Sequence, residues 1–225
     1  MIDHDNLPAG GGFYAYQAFV APSTSSGSAN NEAFLGVSAD GGKTWTDNPI
    51  PCSVAGASTS LDHNFPNVSV APNGNVYYAW SDDKNVSTAE STDHGKTWTC
   101  SGAVSTSTAK AIFPWLAATS NGVDLVYYGA PTTTNQTWSV YFAQNIGGTW
   151  GTPQQLMAVH SGSVCEGGVN CTSGRQLFDD FGVDTDSSGW AHIAFSQDSP
   201  SLGGSGTSTG YAVQTAGTQV GPPNN

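Results

Sequence analysis

The side chains best suited to chemistry in this sequence are short acids, two of them set beside histidine: Asp3-His4-Asp5, Asp62-His63-Asn64 and Asp179-Asp180-Phe181, with Asp82, Asp83 and Asp198 elsewhere. Carboxylates crowded with histidine have three uses: general acid and base chemistry, coordination of calcium, or capping of turns. Cleavage of a glycosidic bond needs two carboxyl groups roughly 5 to 10 Å apart. Asp62, Asp179, Asp180 and Asp82 are the candidates for that pair. His63, Asp3, His4 and Asp5 are candidate ligand contacts, and Trp115 and Tyr128, with Phe113, could offer aromatic faces to a sugar ring. The competing reading is a turn cap for each aspartate and core packing for Trp115 and Phe113. No metal-ligand pattern can be assigned, and calcium is the ion such an aspartate cluster would suit.

Whether these residues meet depends on the elements that carry them, and those are signalled by a repeat. SADGGKTW at Ser38 to Trp45 returns as STDHGKTW at Ser91 to Trp98 and, worn, as AQNIGGTW at Ala143 to Trp150; the copies begin at 38, 91 and 143. A fixed period near fifty residues marks a stacked or ring-like architecture. In each full copy, Ser and Asp (Ser38 and Asp40, Ser91 and Asp93) can accept from backbone N–H groups just ahead of them. Gly42 and Gly95 allow the positive φ of a tight turn, and Trp45, Trp98 and Trp150 begin strands as packing aromatics.

This S-x-D-x-G-x-T-W pattern resembles the Asp box, the BNR repeat of the sialidase superfamily. The resemblance implies a β-propeller with ligands held near its central tunnel. Alternating β-branched and aromatic runs, cut by Gly, Asn and Pro, agree with an all-β protein of four-stranded antiparallel blades. Four units are recognisable, about 1–57, 58–108, 109–174 and 175–225, within a single domain spanning 1–225. The resemblance implies six blades, so the chain is a piece of a ring, a compact four-bladed ring, or half of an assembly. Chain direction reverses at every turn, so loops that open the first strand of a unit share a face with loops between its second and third strands. The box turns lie on the other face. Eight of the 17 acids then crowd the first face.

The sialidase resemblance also implies three arginines for the substrate carboxylate, the job that bidentate guanidinium geometry suits. This chain has one, Arg175, and its three glutamates, Glu32, Glu90 and Glu166, offer no nucleophile pair with a tyrosine. The expected function is therefore an extracellular, glycan-acting relative of glycoside hydrolases working without that triad, or a non-catalytic module binding a glycan or protein, with or without calcium. A net charge of −12 argues against nucleic acid and anionic membrane surfaces as partners. No run is long and apolar enough to span a membrane, and no leader follows Met1. Cys165 and Cys171 flank a short loop, and Cys52 and Cys100 follow two successive boxes. Two disulfides and an oxidising, secreted setting are expected.

Overall fold

The computed structural model describes residues 2–6 as backbone, and 13–24, 29–61, 65–166, 170–172, 176–177, 180–198 and 206–221 in full. These residues form four antiparallel sheets and no α-helix. The first sheet runs β1 (Ile2–Asn6), β2 (Phe13–Ala21), β3 (Glu32–Ser38), β4 (Thr46–Pro49), and the second β5 (Asn67–Val70), β6 (Val76–Ser81), β7 (Val86–Ser91), β8 (Thr99–Ala103). In the third, β9 (Lys110–Ala118), β10 (Gly122–Ala130) and β11 (Thr137–Ile146) are followed by β12 (Thr149–Trp150) and β13 (Gln154–Ser161), both paired to β11. The fourth has three strands, β14 (Gly182–Thr185), β15 (Ala191–Gln197) and β16 (Ser208–Val213).

Each sheet has two faces to bury, and it buries them against its neighbours. The first strands β1, β5, β9 and β14 pack side by side in chain order, which makes the fold propeller-like. No comparable packing joins β14 to β1 among the described residues, so the four sheets make an arc rather than a closed ring. Side chains fasten the arc at its centre. β9 is an edge strand, and two of its outward N–H groups, those of Leu116 and Ala118, donate to Asn67 Oδ1 at 3.0 Å and Ser69 Oγ at 2.9 Å on β5. Further out, Tyr78 of β6 donates to the carbonyls of Phe19 and Phe34 in the first sheet, and burial pushes its phenol pKa well up.

Asp3, His4 and Asp5 correct one expectation. They lie inside β1, paired with Tyr16, Ala15 and Tyr14, and not in a loop that opens the first strand. Strand propensity in Asp and Asn is poor, but pairing with the strong strand beside them overrides it.

Both full repeats fold as clasped turns. Ser38 Oγ donates to Asp40 and accepts from Gly42 N–H at 2.8 Å, while Asp40 accepts from the backbones of Lys43 and Thr44 and from the Thr44 hydroxyl. The turn at Ser91 and Asp93 repeats every one of these bonds. So many donors hold both carboxyls below the usual range, Asp93 at about 2. The two turns differ in what they touch. The second drives into the first sheet: His94 stacks on Tyr14 at 3.9 Å and bonds Tyr16, and a Cβ on Gly95 would stand 2.6 Å from Leu35. Trp98 joins the same core, edge-on to Tyr78. Trp45, expected to pack likewise, is 41% exposed and folds back on its own turn, because no sheet precedes the first among the described residues. The third copy is a Gly147-Gly148 hairpin with both φ positive, and half-buried Trp150 packs against the third sheet's core.

The two expected disulfides are present, and they join Cys52 to Cys100 and Cys165 to Cys171. No described helix is long and apolar enough to cross a membrane. In the chain-entropy account, closing 48 residues stabilises by about 4 kcal/mol and closing 6 by about 2 kcal/mol. Replacing Cys52 and Cys100 by alanine should therefore lower the urea unfolding free energy about twice as far as replacing Cys165 and Cys171. Ser91→Ala strands the buried N–H of Gly95 and should cost about 1–3 kcal/mol in the same measurement.

Candidate functional site

Where the inner strands converge there is a pocket of about 240 Å³ whose walls come from successive sheets. Phe65 and Pro66 precede β5, Phe113, Pro114 and Trp115 lie in β9, and Phe181 precedes β14. Phe65 and Phe113 have φ of 44° and 54°, a region non-glycine residues seldom enter. Each also precedes a proline, which restricts its backbone further. Such strain, of order 1–3 kcal/mol per residue, persists only where the surroundings enforce it and collects at functional sites. Here it turns the two rings toward each other, 5.8 Å apart, and a register shift of β9 on β10 accommodates Phe113. Among the described residues no charged side chain lines the pocket. An aromatic wall of this kind suits a ligand with apolar faces.

A charged cluster lies on the same face. Asp83, in the β6–β7 loop, meets Lys110 at the head of β9 with 3.1 Å between Oδ2 and Nζ, and Glu166, beyond β13, reaches the same ammonium at 3.3 Å. Lys110 also lies 5.9 Å above the Trp138 ring. Asp83 is a third non-glycine residue in left-handed conformation, φ 79°, held by Ser81 Oγ at its N–H. Burial, then the Glu166 carboxyl beside it, push the Asp83 pKa up to about 6, against the pull of Lys110. Asp83 therefore gives up its proton only as pH rises through about 6. Contact between a β6–β7 loop and the head of β9 places both on one face, while the clasped turn at Asp93 lies at the far end of β7.

A histidine and an aspartate meet nearby. His160 of β13 and Asp198, just past β15, share a hydrogen bond from Nδ1 to both carboxylate oxygens at 2.7 and 2.9 Å. The segment after β13 is held over this side by the bond from Trp138 Nε1 to Gly162 O and by the Cys165–Cys171 disulfide.

Of the residues expected to do chemistry, Asp62, His63 and Asp179 lie outside the described residues, as does Arg175. The side chains of Asp3, His4 and Asp5 do too. Asp82 is a turn cap: its Oδ1 accepts from the N–H groups of Lys84 and Asn85 at 3.1 and 2.7 Å. Asp180 is exposed beside Phe181, close enough to Tyr128 to add to that phenol's raised pKa, which burial chiefly causes. Tyr128 offers no face to a ligand. It is fully buried, stacks on Phe181 at 4.2 Å and exchanges hydrogen bonds with the Ser196 backbone, because it fills the joint between the third and fourth sheets. Trp115 is half-buried on the pocket wall, and Phe113 is buried with one side on the pocket. Asp83 was read as one of the acids of this face, but Phe65, Lys110 and Glu166 were not foreseen as part of a site. The one sequence signal for the pocket was the Phe-Pro pair recurring at 65 and 113. Among the described residues no three His, Cys, Asp or Glu side chains converge as a cation site.

No protein-family model and no curated protein matches the sequence. Solved structures do match in fold. A Dyadobacter fermentans protein of unknown function aligns with a TM-score of 0.58 at 15% identity, over 89% of this chain and 50% of its own. A Penicillium chrysogenum α-L-arabinanase complexed with arabinobiose gives 0.56 at 14%, over 97% and 63%, and a Hadza microbial sialidase 0.51 at 11%, over 88% and 42%. The chain thus spans about half to two thirds of the length of the first two and less of the third. At such identities the likeness establishes the fold, an all-β propeller-like architecture shared with glycosidases.

Lys110 is what lets two carboxyls approach, and this has a pH signature. The folded pKa of Asp83 lies above its ordinary value, so its contribution is fully present below about pH 4 and is lost as pH rises through about 6. Lys110→Met should therefore depress the melting temperature more at pH 8, where both carboxyls are ionised, than at pH 4.5. An equal loss at both values would show that the ammonium does not hold the pair.

Proposed function

We propose that this chain acts on glycans as a sialidase-like propeller unit, one domain over 1–225 with blades at about 1–57, 58–108, 109–174 and 175–225 and Asp-box turns on the outer face. It is a relative of glycoside hydrolases that works without an arginine triad, on uncharged sugars. The observation that carries this reading is the strained aromatic wall of the hub pocket, which Phe65, Phe113, Trp115 and Phe181 build. The fold shared with an arabinanase bound to arabinobiose supports it. Asp180, with Asp62 and Asp179 from the same rim in sequence, supplies the carboxyl chemistry, and His63, Asp3, His4 and Asp5 are further contacts. The disulfides fit an extracellular setting.

A second reading, a non-catalytic module that binds a glycan or protein, with calcium at the aspartates, is favoured by one observation. Asp82, a candidate acid, is spent on its own turn, and Asp198 on His160.

Screening neutral and sialylated glycan arrays, followed by product analysis, tests both. Neutral glycans should bind, and Trp115→Ala should weaken binding roughly tenfold through loss of the ring face. The double variant Asp62→Asn, Asp179→Asn should fold and bind yet release no product. Binding without turnover by the unaltered chain would favour the module, and preference for sialylated glycans would overturn the neutral-sugar site.

A further inference from the structure

The third and fourth sheets part toward their outer strands and leave a second, larger opening, a cleft of about 430 Å³. Small-molecule sites commonly measure about 300–1,000 Å³, so it is large enough to hold a ligand. It lies between β11 and β13 on one side and β15, β16 and the segment after β16 on the other, away from the hub pocket. In a chain with 17 acids, none of the described residues lining this cleft is charged.

Its polar side chains are four glutamines and Thr215, and three of the amides are fixed. Gln155 donates from Nε2 to Ser139 Oγ at 2.9 Å, Gln144 donates to Asp124 Oδ1 at 2.8 Å and to Thr218 O at 3.1 Å, and Gln214 donates to Ala216 O and Thr218 O, both at 3.1 Å. Both N–H groups of Gln144 and of Gln214, and one of Gln155, are thus spent on the protein. The amide oxygens of Gln144 and Gln155 remain as acceptors, held in place beforehand by the bonds on the nitrogen side. Behind Gln144 stands Asp124, fully buried, with Oδ2 unpartnered, and burial pushes its pKa up to about 7. A carboxyl there polarises the Gln144 amide and strengthens its oxygen as an acceptor. Between the amides the surface is apolar: Leu156 and Val213, 39% and 42% exposed, flank the opening.

Oriented amide acceptors, uncharged donors on Gln154 and Thr215, and apolar ground between them match a neutral ligand that carries hydroxyls and C–H faces. We infer that this cleft is a second glycan-binding site, which takes one or two neutral sugar units independently of the hub pocket. The inference rests on the reading of the chain as glycan-acting, and deepens it by giving the protein two points of hold on one neutral polymer. Multivalent attachment of that kind raises overall affinity without a new contact at the hub.

Isothermal titration of the full chain with unmodified arabino-, xylo-, manno- and glucohexaose tests it. Two binding events are expected for at least one sugar. Ala216→Trp, which fills the cleft from an exposed position, should remove one event and leave the other, while Trp115→Ala should do the reverse. Gln155→Ala should weaken the cleft event about tenfold, the effect of one lost hydrogen bond with its neighbours intact. If Ala216→Trp melts early, the double variant Gln154→Ala, Gln155→Ala, at exposed positions, replaces it. A single event, lost in Trp115→Ala and untouched by either cleft variant, would overturn the cleft site and leave the hub reading standing. An event lost only in the cleft variants would support the cleft and count against the hub. No binding of any hexaose, or displacement from the cleft by an uncharged extended peptide in place of sugar, would overturn the inference.

Discussion

An edge strand in water leaves every second N–H and C=O unpaired, and a propeller-like arrangement places such edges at its most crowded point. In this protein, side chains of one sheet satisfy the next. Asn67 and Ser69 take up the free N–H groups of β9, and that bonding fixes the distance and height at which the second and third sheets meet. The pocket walls follow from it. Phe65 and Phe113 sit at equivalent places before and within adjacent inner strands, so fixing the strands brings their rings together, and the strain at each backbone is the local consequence of a geometry set elsewhere.

Turn chemistry is the second layer. A clasped turn is stable by itself, since its Ser and Asp satisfy its own backbone, but it becomes a joint only when it has a sheet to enter. The pair of copies shows the difference. Gly95 is pressed against Leu35 and His94 against Tyr14, whereas the same turn around Gly42 touches little but its own Trp45. One sequence pattern thus yields a buried joint and an exposed corner, according to what precedes it in the arc.

Much of the fold was legible because the repeat, the alternation and the turn residues all point the same way. The strand runs and the opposed placement of box turns and the β6–β7 loop could be read from the sequence, as could the presence of two disulfides. Less could be read of the site. Asp82 and Asp83 are neighbours of one type, and only the turn geometry decides that the first caps and the second faces Lys110. Glu166 joins that pair across 56 residues, and a contact of that range leaves no local mark. Tyr128 and Trp115 look alike as aromatic platforms, yet the stagger of the sheets buries one and leaves the other on a wall. β1 was misread because its acids suit loops, and pairing decided otherwise.

The Cys52–Cys100 bond joins the outer rims of the first two sheets, while Tyr78 ties the same two sheets nearer the middle. Fastened at two radii, this pair behaves as one stiff plate. Among the described residues no covalent tie links the third sheet to the fourth, where packing and the Tyr128–Ser196 exchange do the holding. Compliance is therefore unevenly distributed around the arc. A guest lodged in the cleft that borders this joint would act as a wedge on the angle between two sheets.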